Sequence, residues 1–374
     1  MPSQQLTLPA RLEGKRVCVC AGAGGVGKTT MSAALALGLA AGGQKVAVLS
    51  IDPAKRLAGA LGMGELSWEP QLIDPDLFNT RGVQMRGELW AMMLDSKRTF
   101  DQMIERLAPD ENTRDEVLSN RIYQEISGAV AGSQEFTAVT KLYELHSDGE
   151  FDVIVLDTPP SRNAIDFLEA PGRLTRFMDG RALAMFLAPG GVAARFLGRG
   201  SGILFSLFAR VSGVDLLNDL SVFFRSLSSL IDGLRERSIG TEELLRDRSS
   251  TFLIISTPEH EPAREAIFLH SKLSQMGLPF GALIVNRVHD GGLEGHTAEE
   301  LNDMLVGQLG DRLAGRVAGN LADYGMLAQR DRQSIANLRE QLAEPEPILL
   351  SELERDIADI DGLVSLAREL FGWS

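Results

Sequence analysis

Residues Cys20–Thr30, which read CAGAGGVGKTT, decide the fold of this chain. Within them, Gly22 to Thr29 match the pattern G-x-x-x-x-G-K-[ST], in which main-chain N–H groups surround a phosphate chain. The apolar run RVCVCA before the pattern predicts a buried strand, and the residues from Lys28 to Ala41 predict a helix. Because strand, glycine-rich turn and helix follow one another in this order, the stretch predicts a P-loop.

Each residue of the P-loop has a predicted role. The glycines let N–H groups converge on phosphates, and the start of the helix adds a favourable dipole. We expect Lys28 at the β- and γ-phosphates as a catalytic residue, the Thr29 hydroxyl at Mg²⁺, and Thr30 at the α-phosphate. The predicted nucleotide-binding residues of the loop are Gly22, Gly24, Gly25, Val26, Gly27, Lys28, Thr29 and Thr30.

Two aspartates end apolar runs that follow the P-loop in the sequence. Asp157 ends VIVLD, where a carboxylate holds Mg²⁺, usually through water. Asp52 ends VAVLSID, and we expect it to position or deprotonate the attacking water if both strands neighbour the first strand. A helix cap or a turn is the structural alternative for either aspartate taken alone.

The other apolar runs complete the predicted fold class. Short apolar strands that alternate with helices indicate a mainly parallel, doubly wound sheet, so the chain is predicted to be an α/β P-loop NTPase. The predicted strands are Arg16–Ala21, Lys45–Asp52, Phe151–Asp157, Thr251–Thr257, Phe280–Arg287 and Glu346–Leu350.

Two intervals, from about Trp90 to Leu145 and from about Leu174 to Arg246, read as helical and interrupt the alternation. We interpret them as one all-helical subdomain made of two insertions. The predicted boundaries are 89–145 and 174–246 for the helical subdomain, and 15–88, 146–173 and 247–374 for the nucleotide-binding domain.

The helical intervals carry apolar residues at helical spacing. Such faces predict either packing against one another or a groove for an apolar helical client, and a loop that touches a membrane is a third interpretation. The residues concerned are Leu89, Met93, Phe100, Met103, Ile104, Leu107, Ile203, Leu204, Leu207, Phe208, Val211, Phe223, Phe224, Leu227, Leu230, Ile231 and Leu234.

Composition excludes several classes of protein. A net charge of −14 at pH 7 argues against nucleic-acid binding, since a phosphate backbone requires a basic surface. No run predicts a transmembrane segment and the first residues lack the apolar core of a signal peptide, so we expect a cytoplasmic protein. The only cysteines, Cys18 and Cys20, cannot fill a tetrahedral site alone, so neither zinc nor an iron–sulfur cluster is expected.

Four motifs together resemble the arsenite-pump and guided-entry ATPase family, most closely its bacterial members. They read GAGGVGKTT, SIDPAKRLAGALG, VIVLDTPPSRNAIDFL and LIVNR. This family belongs to the deviant Walker-A group, whose members work as dimers with ATP or ADP and Mg²⁺. The resemblance implies a catalytic Asp52, a second switch segment over Asp157–Asn163, an adenine-binding Asn286, and a loop behind the base that starts at Pro347.

The choice of base also follows from the residues themselves. A GTPase needs N-K-x-D after the corresponding strand, with the aspartate accepting hydrogen bonds from guanine. Here the residues from Asn286 read N-R-V-H, and Asp290 comes one residue too late. The sequence therefore predicts adenine.

Ala23 departs from the family, whose members place a lysine there that crosses the dimer interface to the partner's phosphates. Three explanations stay open: a heterodimer with a lysine-bearing paralogue, substitution by Lys55, Arg56 or Arg162, or poor hydrolysis. The family's zinc-binding cysteine pair and its arsenite-sensing cysteines have no counterparts, so dimerisation without zinc is expected and an arsenite-activated pump is disfavoured.

These residues predict a dimeric ATP-hydrolysing switch whose nucleotide state controls a helical subdomain that binds a partner or client. A homodimer and a heterodimer both fit this prediction. The alternatives are the ATPase subunit of an anion transporter and a regulatory subunit with weak or no hydrolysis. A DNA-partition ATPase is disfavoured by the acidic charge.

Overall fold

A computed structural model gives the fold of residues 7–51, 56–121, 123–124, 133–159, 168–170, 172, 176, 230–289, 296–342, 346–353 and 359–373. Within these ranges, contacts divide the chain into two compact units. The sheet unit comprises residues Met1–Met92, Phe151–Ala164 and Asp247–Ser374, and the helical unit comprises Met93–Glu150 and Ile165–Arg246.

An eight-stranded sheet forms the centre of the sheet unit, with strand order β3-β4-β2-β5-β1-β6-β7-β8. The pairs β2/β5, β5/β1, β1/β6, β6/β7 and β7/β8 are parallel, and β3/β4 is antiparallel. The strands are β1 Val17–Gly22, β2 Lys45–Ser50, β3 Gln71–Leu72, β4 Glu88–Met93, β5 Val153–Asp157, β6 Ser250–Ser256, β7 Phe280–Val288 and β8 Ile348–Ser351.

Helices connect and cover these strands. Those of the sheet unit are α1 Leu8–Leu12, α2 Lys28–Ala41, α3 Arg56–Ala60, α4 Asp76–Asn79, α9 His260–Met276, α10 Ala298–Leu309, α11 Asp311–Leu342 and α12 Ile360–Phe371. Those of the helical unit are α5 Ser96–Leu107, α6 Glu111–Ser119, α7 Ser133–Asp148 and α8 Ile231–Arg246. None of the helices within the described ranges is both long enough and apolar enough to cross a bilayer.

Strand β1 lies between β5 and β6 in the sheet and belongs to the apolar core of the sheet unit. Every residue of β1, β5 and β6 is buried, as expected for parallel strands covered on both faces. Alanine and leucine dominate α2, which packs against β2 and β5 and against α12. The predicted α/β P-loop fold with a mainly parallel sheet is confirmed.

Strand β4 corrects the prediction of a helical tract that begins near Trp90. Leu89 and Met93, which we assigned to a helical face, lie in this strand. Leucine, methionine and alanine favour helices in isolation, but pairing within a sheet overrides that preference. The main-chain N–H of Glu88 donates to the Gln44 carbonyl, and that of Ile73 donates to the Leu89 carbonyl. The sheet therefore has two strands, β3 and β4, that the sequence did not reveal.

The helical unit, described by itself, buries most of the predicted apolar residues that lie in the described ranges, and Phe100 and Leu107 are half-buried. Met103, Ile104, Leu230, Ile231 and Leu234 are all less than 9% exposed. Packing of apolar faces against one another explains these five residues. The residues Ile203 to Val211 and Phe223 to Leu227, which the same prediction names, lie outside the described ranges.

Candidate functional site

The predicted P-loop lies at the carboxyl end of β1, between β1 and α2. Gly22 is the last residue of β1. A Cβ added there would lie 2.1 Å from the carbonyl oxygen of Ile255 on β6, so β1 and β6 can approach this closely only at a glycine. Gly25 and Gly27 have φ angles of 80° and 93°, which side chains other than glycine rarely adopt. The turn therefore depends on its glycines for its shape.

Asn286 joins this turn from β7. Its Nδ2 donates to the Val26 carbonyl at 3.0 Å, and a Cβ added to Gly27 would lie 2.7 Å from that nitrogen. Sequence reasoning expected Asn286 at the adenine, and the structure places its amide directly on the P-loop backbone. The conformation of the P-loop is thus linked to the position of the Asn286 side chain.

Lys28 is the first residue of α2, and only 8% of it is exposed. Its Nζ donates to the carbonyl oxygen of Ala23 at 2.7 Å, across the P-loop turn. Thr29 and Thr30 follow on the first helical turn and are half-buried, and no acidic residue lies in that turn. A helix start without carboxylates, next to a buried lysine, suits an anionic ligand.

Asp157 ends β5 beside the P-loop strand, because β5 pairs with β1 and Asp157 lies opposite Cys20. Its carboxylate is fully buried and accepts a hydrogen bond from Ser50 Oγ at 2.9 Å. The next residue, Thr158, donates from Oγ1 to the Cys20 carbonyl at 2.7 Å, which fixes the chain as it leaves the sheet. A buried carboxylate thus ends β5, the strand next to β1, which leads into the P-loop.

Asp52 lies outside the described residues, but β2, the strand that precedes it, is described. The condition stated for Asp52, that both strands neighbour β1, is not met by β2, which pairs with β5 instead. The carboxyl end of β2 nevertheless reaches the same edge, because Ser50 contacts Asp157 and the Ile51 N–H donates to the Asp157 carbonyl at 3.4 Å.

Pro347 lies directly before β8. In the parallel pairing of β7 and β8, Ile348 is opposite Ile284 and Ser351 is opposite Val288. The residues of the predicted segment that reach the carboxyl edge, where β1 leads into the P-loop, are therefore Ser351 and Glu352, and the role of Pro347 itself at the base stays a prediction.

A cluster at the end of β7 was missed by sequence reasoning. The His289 ring lies between two carboxylates, with Nδ1 2.6 Å from Asp331 Oδ2 and Nε2 3.2 Å from Glu352 Oε2. Asp331 is on α11 and Glu352 directly follows β8, so no local pattern links the three residues. The one available signal was His289 itself, at the position where a guanine-binding motif has aspartate.

Cys18 and Cys20 lie side by side in β1 and are completely buried. Burial raises the pKa of the Cys20 thiol to about 12, with Asp157 adding to the rise and Ser32 and Lys28 opposing it. Burial also raises the pKa of Cys18. Neither thiol is a thiolate near neutral pH, which is the form that binds metals. In the part of the chain that the structure describes, no group of three or more His, Cys, Asp or Glu side chains is arranged for a metal.

The fold and the P-loop define this chain as a P-loop NTPase. A family model described as anion-transporting ATPase matches residues 15–296. Since this match spans most of the chain, the protein belongs to that family. The match also confirms the family that the four sequence motifs indicated.

Relatives with curated names agree with this assignment. The chain is 26% identical over 272 residues to ATPase GET3 of Malassezia globosa, a match that covers 72% of this chain and 71% of the relative. It is 27% identical over 282 residues to putative arsenical pump-driving ATPase 2 of Aquifex aeolicus, covering 73% and 80% of the two chains. It is 26% identical over 292 residues to ATPase BagA of Mycobacterium tuberculosis, covering 75% and 67%.

Proposed function

We propose that this protein is an ATP-binding and ATP-hydrolysing switch that works as a dimer. The observation that carries the proposal is the buried Lys28 at the start of α2, together with the buried carboxylate of Asp157 at the end of β5, the strand next to β1. A lysine at a glycine-rich turn and a carboxylate at the end of the neighbouring strand match the charges of a magnesium nucleotide. Membership of an ATPase family supports the same reaction.

The residues present fit ATP and Mg²⁺. The turn Gly24–Gly27 offers main-chain N–H groups, and Gly24 and Gly25 have open space where a side chain would start. Lys28 would balance the charge of the β- and γ-phosphates, and Thr29 and Asp157 would hold the metal, Asp157 through water. Bound Mg²⁺ supplies charge stabilisation at the transferred phosphoryl group.

We assign the catalytic carboxylate to Asp52. It comes two residues after β2, whose last residue, Ser50, already contacts Asp157. This connection holds the end of β2 at the carboxyl edge of the sheet, where β1 leads into the P-loop. Asp52 would orient the attacking water and accept its proton, which typically contributes about 10²–10⁴-fold to a rate.

The proposed base is adenine, recognised by Asn286. Its amide lies next to the P-loop, and the residue at the position of the guanine-binding aspartate is His289. Both His289 ring nitrogens lie at carboxylates, those of Asp331 and Glu352. The imidazole therefore does not offer guanine the pair of acceptor oxygens that an aspartate offers at this position.

Ala23 supports a dimer in which the missing lysine comes from a paralogous partner. The residue is 6% exposed and its carbonyl already accepts from Lys28. Of the basic residues that would replace the lysine within the chain, Arg56 is exposed at the start of α3, and Lys55 and Arg162 lie outside the described residues. A homodimer with one of these residues in the site is the competing arrangement, and hydrolysis without either is the third.

The proposed output is the helical unit, which would bind a partner or an apolar helical client according to the nucleotide state. One relative is named putative arsenical pump-driving ATPase 2, and driving a pump is a task in which an ATPase acts on a partner. We place the protein in the cytoplasm. An arsenic-driven task is disfavoured because trivalent arsenic needs thiolates, and burial raises the pKa of both thiols. An ATPase subunit for another anion transporter is the alternative.

The experiment is a comparison of ATP binding and ATP turnover with Mg²⁺ in the wild type and Asp52→Asn. We expect Asp52→Asn to bind ATP with wild-type affinity and to lose about 10²–10⁴-fold in turnover. Unchanged turnover would remove Asp52 from the mechanism. A wild-type chain that binds no ATP, alone or with a lysine-bearing paralogue, would overturn the proposed function as a whole.

A further inference from the structure

The ring of His289 connects three separate elements at the carboxyl edge of the sheet. Its main-chain N–H donates to Asp331 Oδ2 at 3.1 Å, and its Nδ1 lies 2.6 Å from the same oxygen. Its Nε2 lies 3.2 Å from Glu352 Oε2. We call His289, Asp331 and Glu352 the His289 clasp, since they tie the end of β7 to α11 and to the residue after β8.

Burial makes the Asp331 side of the clasp the more rigid one. Only 1% of Asp331 is exposed, whereas the side chain of Glu352 is 45% exposed. A buried carboxylate without donors is costly, so Asp331 holds the histidine firmly in place. The Tyr324 ring, also on α11, meets the His289 ring edge-on with centroids 5.2 Å apart. The ring therefore has a defined orientation.

The segment between Asn286 and His289 is irregular. The pairing of β7 with β8 shifts by one residue between Val285 and Val288, which indicates a β-bulge. Arg287 within it has φ 58°, in the left-handed region that a residue with a side chain adopts only at a cost in energy. Bulges of this kind redirect side chains next to functional sites.

Both ends of the bulge are fixed by hydrogen bonds. On one side, Asn286 Nδ2 donates to the Val26 carbonyl of the P-loop. On the other side, the clasp holds His289, and the Glu352 N–H donates to the Val288 carbonyl at 2.9 Å. A strained conformation persists only where its surroundings determine it, and here the surroundings are the P-loop and the clasp.

We propose that His289 is a positioning residue for recognition of the purine base. By anchoring the end of β7 to α11 and β8, it holds the bulge in the shape that directs the Asn286 amide to the P-loop and the base. This inference rests on the proposed adenine site and deepens it, because it assigns base selectivity to a residue that need not touch the nucleotide.

The test uses the full chain and compares the affinities of Mg-ADP and Mg-GDP by calorimetry. His289→Ala removes both ring contacts of the clasp and keeps only the main-chain N–H bond to Asp331. His289→Asn keeps a donor at the place of Nδ1, towards Asp331, and His289→Gln keeps one at the place of Nε2, towards Glu352. His296→Ala is the matched control, because His296 also faces a carboxylate, Glu300 at 3.7 Å, but lies near the start of α10. Thermal unfolding of each variant reports on folding.

We expect His289→Ala to weaken Mg-ADP binding by about 10-fold or more and to reduce the preference for ADP over GDP, as misplacement of a binding group does. His289→Asn should restore most of the affinity and preference, because Asp331 is the buried partner. His296→Ala should match the wild type. A residue with a purely structural role would lower the unfolding temperature without changing the ratio of the two affinities.

Two results would overturn the inference. If His289→Ala folds and keeps both affinities within about two-fold, the clasp does not position the base site. If His289→Ala does not fold, His289→Asn decides: an ADP-to-GDP ratio no better than that of a folded His289→Gln would exclude the anchoring role of Asp331. Failure of the wild type to bind ADP is distinguishable, since it overturns the proposed adenine site as well.

Discussion

The two units of the molecule each bury a lysine, and they surround it differently. In the sheet unit, Lys28 donates to a neutral main-chain carbonyl, that of Ala23, at 2.7 Å. In the helical unit, Lys141 donates to the carboxylate of Glu144 at 2.8 Å, and Arg106 reaches the same carboxylate at 3.0 Å. Both lysines are less than 9% exposed, so burial alone does not separate their roles.

The groups that contact a buried lysine indicate whether its charge stabilises the fold or helps to bind a ligand. A lysine bonded to a carboxylate is neutralised within the protein and contributes to packing. The described bond of Lys28 goes to a carbonyl oxygen of the P-loop turn, so it positions the ammonium group there. The sheet unit also buries Asp157, which accepts from the hydroxyl of Ser50. We infer that Lys28 is positioned for the ligand of the P-loop, whereas Lys141 and Arg106 hold the helices of the helical unit through Glu144.

The largest expected effect is on turnover, from Lys28→Met. The substitution keeps the length of the side chain and removes its charge, so ATP hydrolysis should fall by about 10³-fold. The unfolding free energy without nucleotide should change little, because a buried charge is replaced by an apolar group of similar size. Steady-state phosphate release and urea unfolding measure the two quantities. A stability loss as large as the loss of activity would mean that Lys28 is structural after all.

The converse substitution, Lys141→Met, should affect stability and spare activity. Glu144, 5% exposed, would keep Arg106 but lose its nearer partner. We expect the unfolding free energy of the helical unit to fall by about 2 kcal/mol. Circular dichroism in urea gives this value, and Mg-ATP affinity should equal that of the wild type. If Lys141→Met weakened nucleotide binding instead, the division of roles between the two lysines would fail.

Ala23→Lys tests whether the sheet unit lacks one charge. A lysine in a homodimer would add positive charge near the partner's phosphates, and turnover should rise by about 10-fold, well below the effect of an evolved arginine finger. Ala23→Met is the control, since it adds length without charge. Both variants are assayed for ATP hydrolysis as the purified chain alone. Equal rates in Ala23→Lys, Ala23→Met and the wild type would leave the lysine-bearing partner without support.

The sequence predicted the parts of the molecule that local patterns determine. The P-loop, α2 and the buried parallel strands follow from glycine spacing, apolar runs and helix signals over neighbouring residues. Strand β4 was not predictable, because ELWAMM favours a helix until β2 and β3 pair with it. The segment from Pro347 shows a related limit: a motif identifies a segment, but only the register of β8 shows which of its residues reach the carboxyl edge.

The candidate site shows the same limit. Lys28 begins α2, Asp157 ends β5 and Asn286 lies near the end of β7, so local patterns were enough to propose each of them. The contact of Asn286 with the Val26 carbonyl and the His289 clasp were not predicted, because they join residues far apart in the chain. Their geometry depends on a bulge and a positive φ at Arg287, which a non-glycine residue adopts only under tertiary constraint.

The smallest expected effect concerns Cys20, which reports on the sheet unit alone because Cys18 and Cys20 are the only cysteines. Its pKa is raised to about 12, mainly by burial, and an unfolded thiol has an ordinary value near 9. The folded state therefore holds its proton more tightly, so this stabilisation is complete below about pH 9 and is lost as pH rises towards 12. Each pH unit from 9 towards 12 should lower the free energy of unfolding by about 1.4 kcal/mol. Between pH 8 and pH 10, urea unfolding should show a smaller loss of this free energy in Cys20→Ala than in the wild type. Equal losses would mean that the Cys20 thiol is less buried than its position in β1 indicates. The surroundings of Lys28 and Asp157 would then be more exposed to water as well.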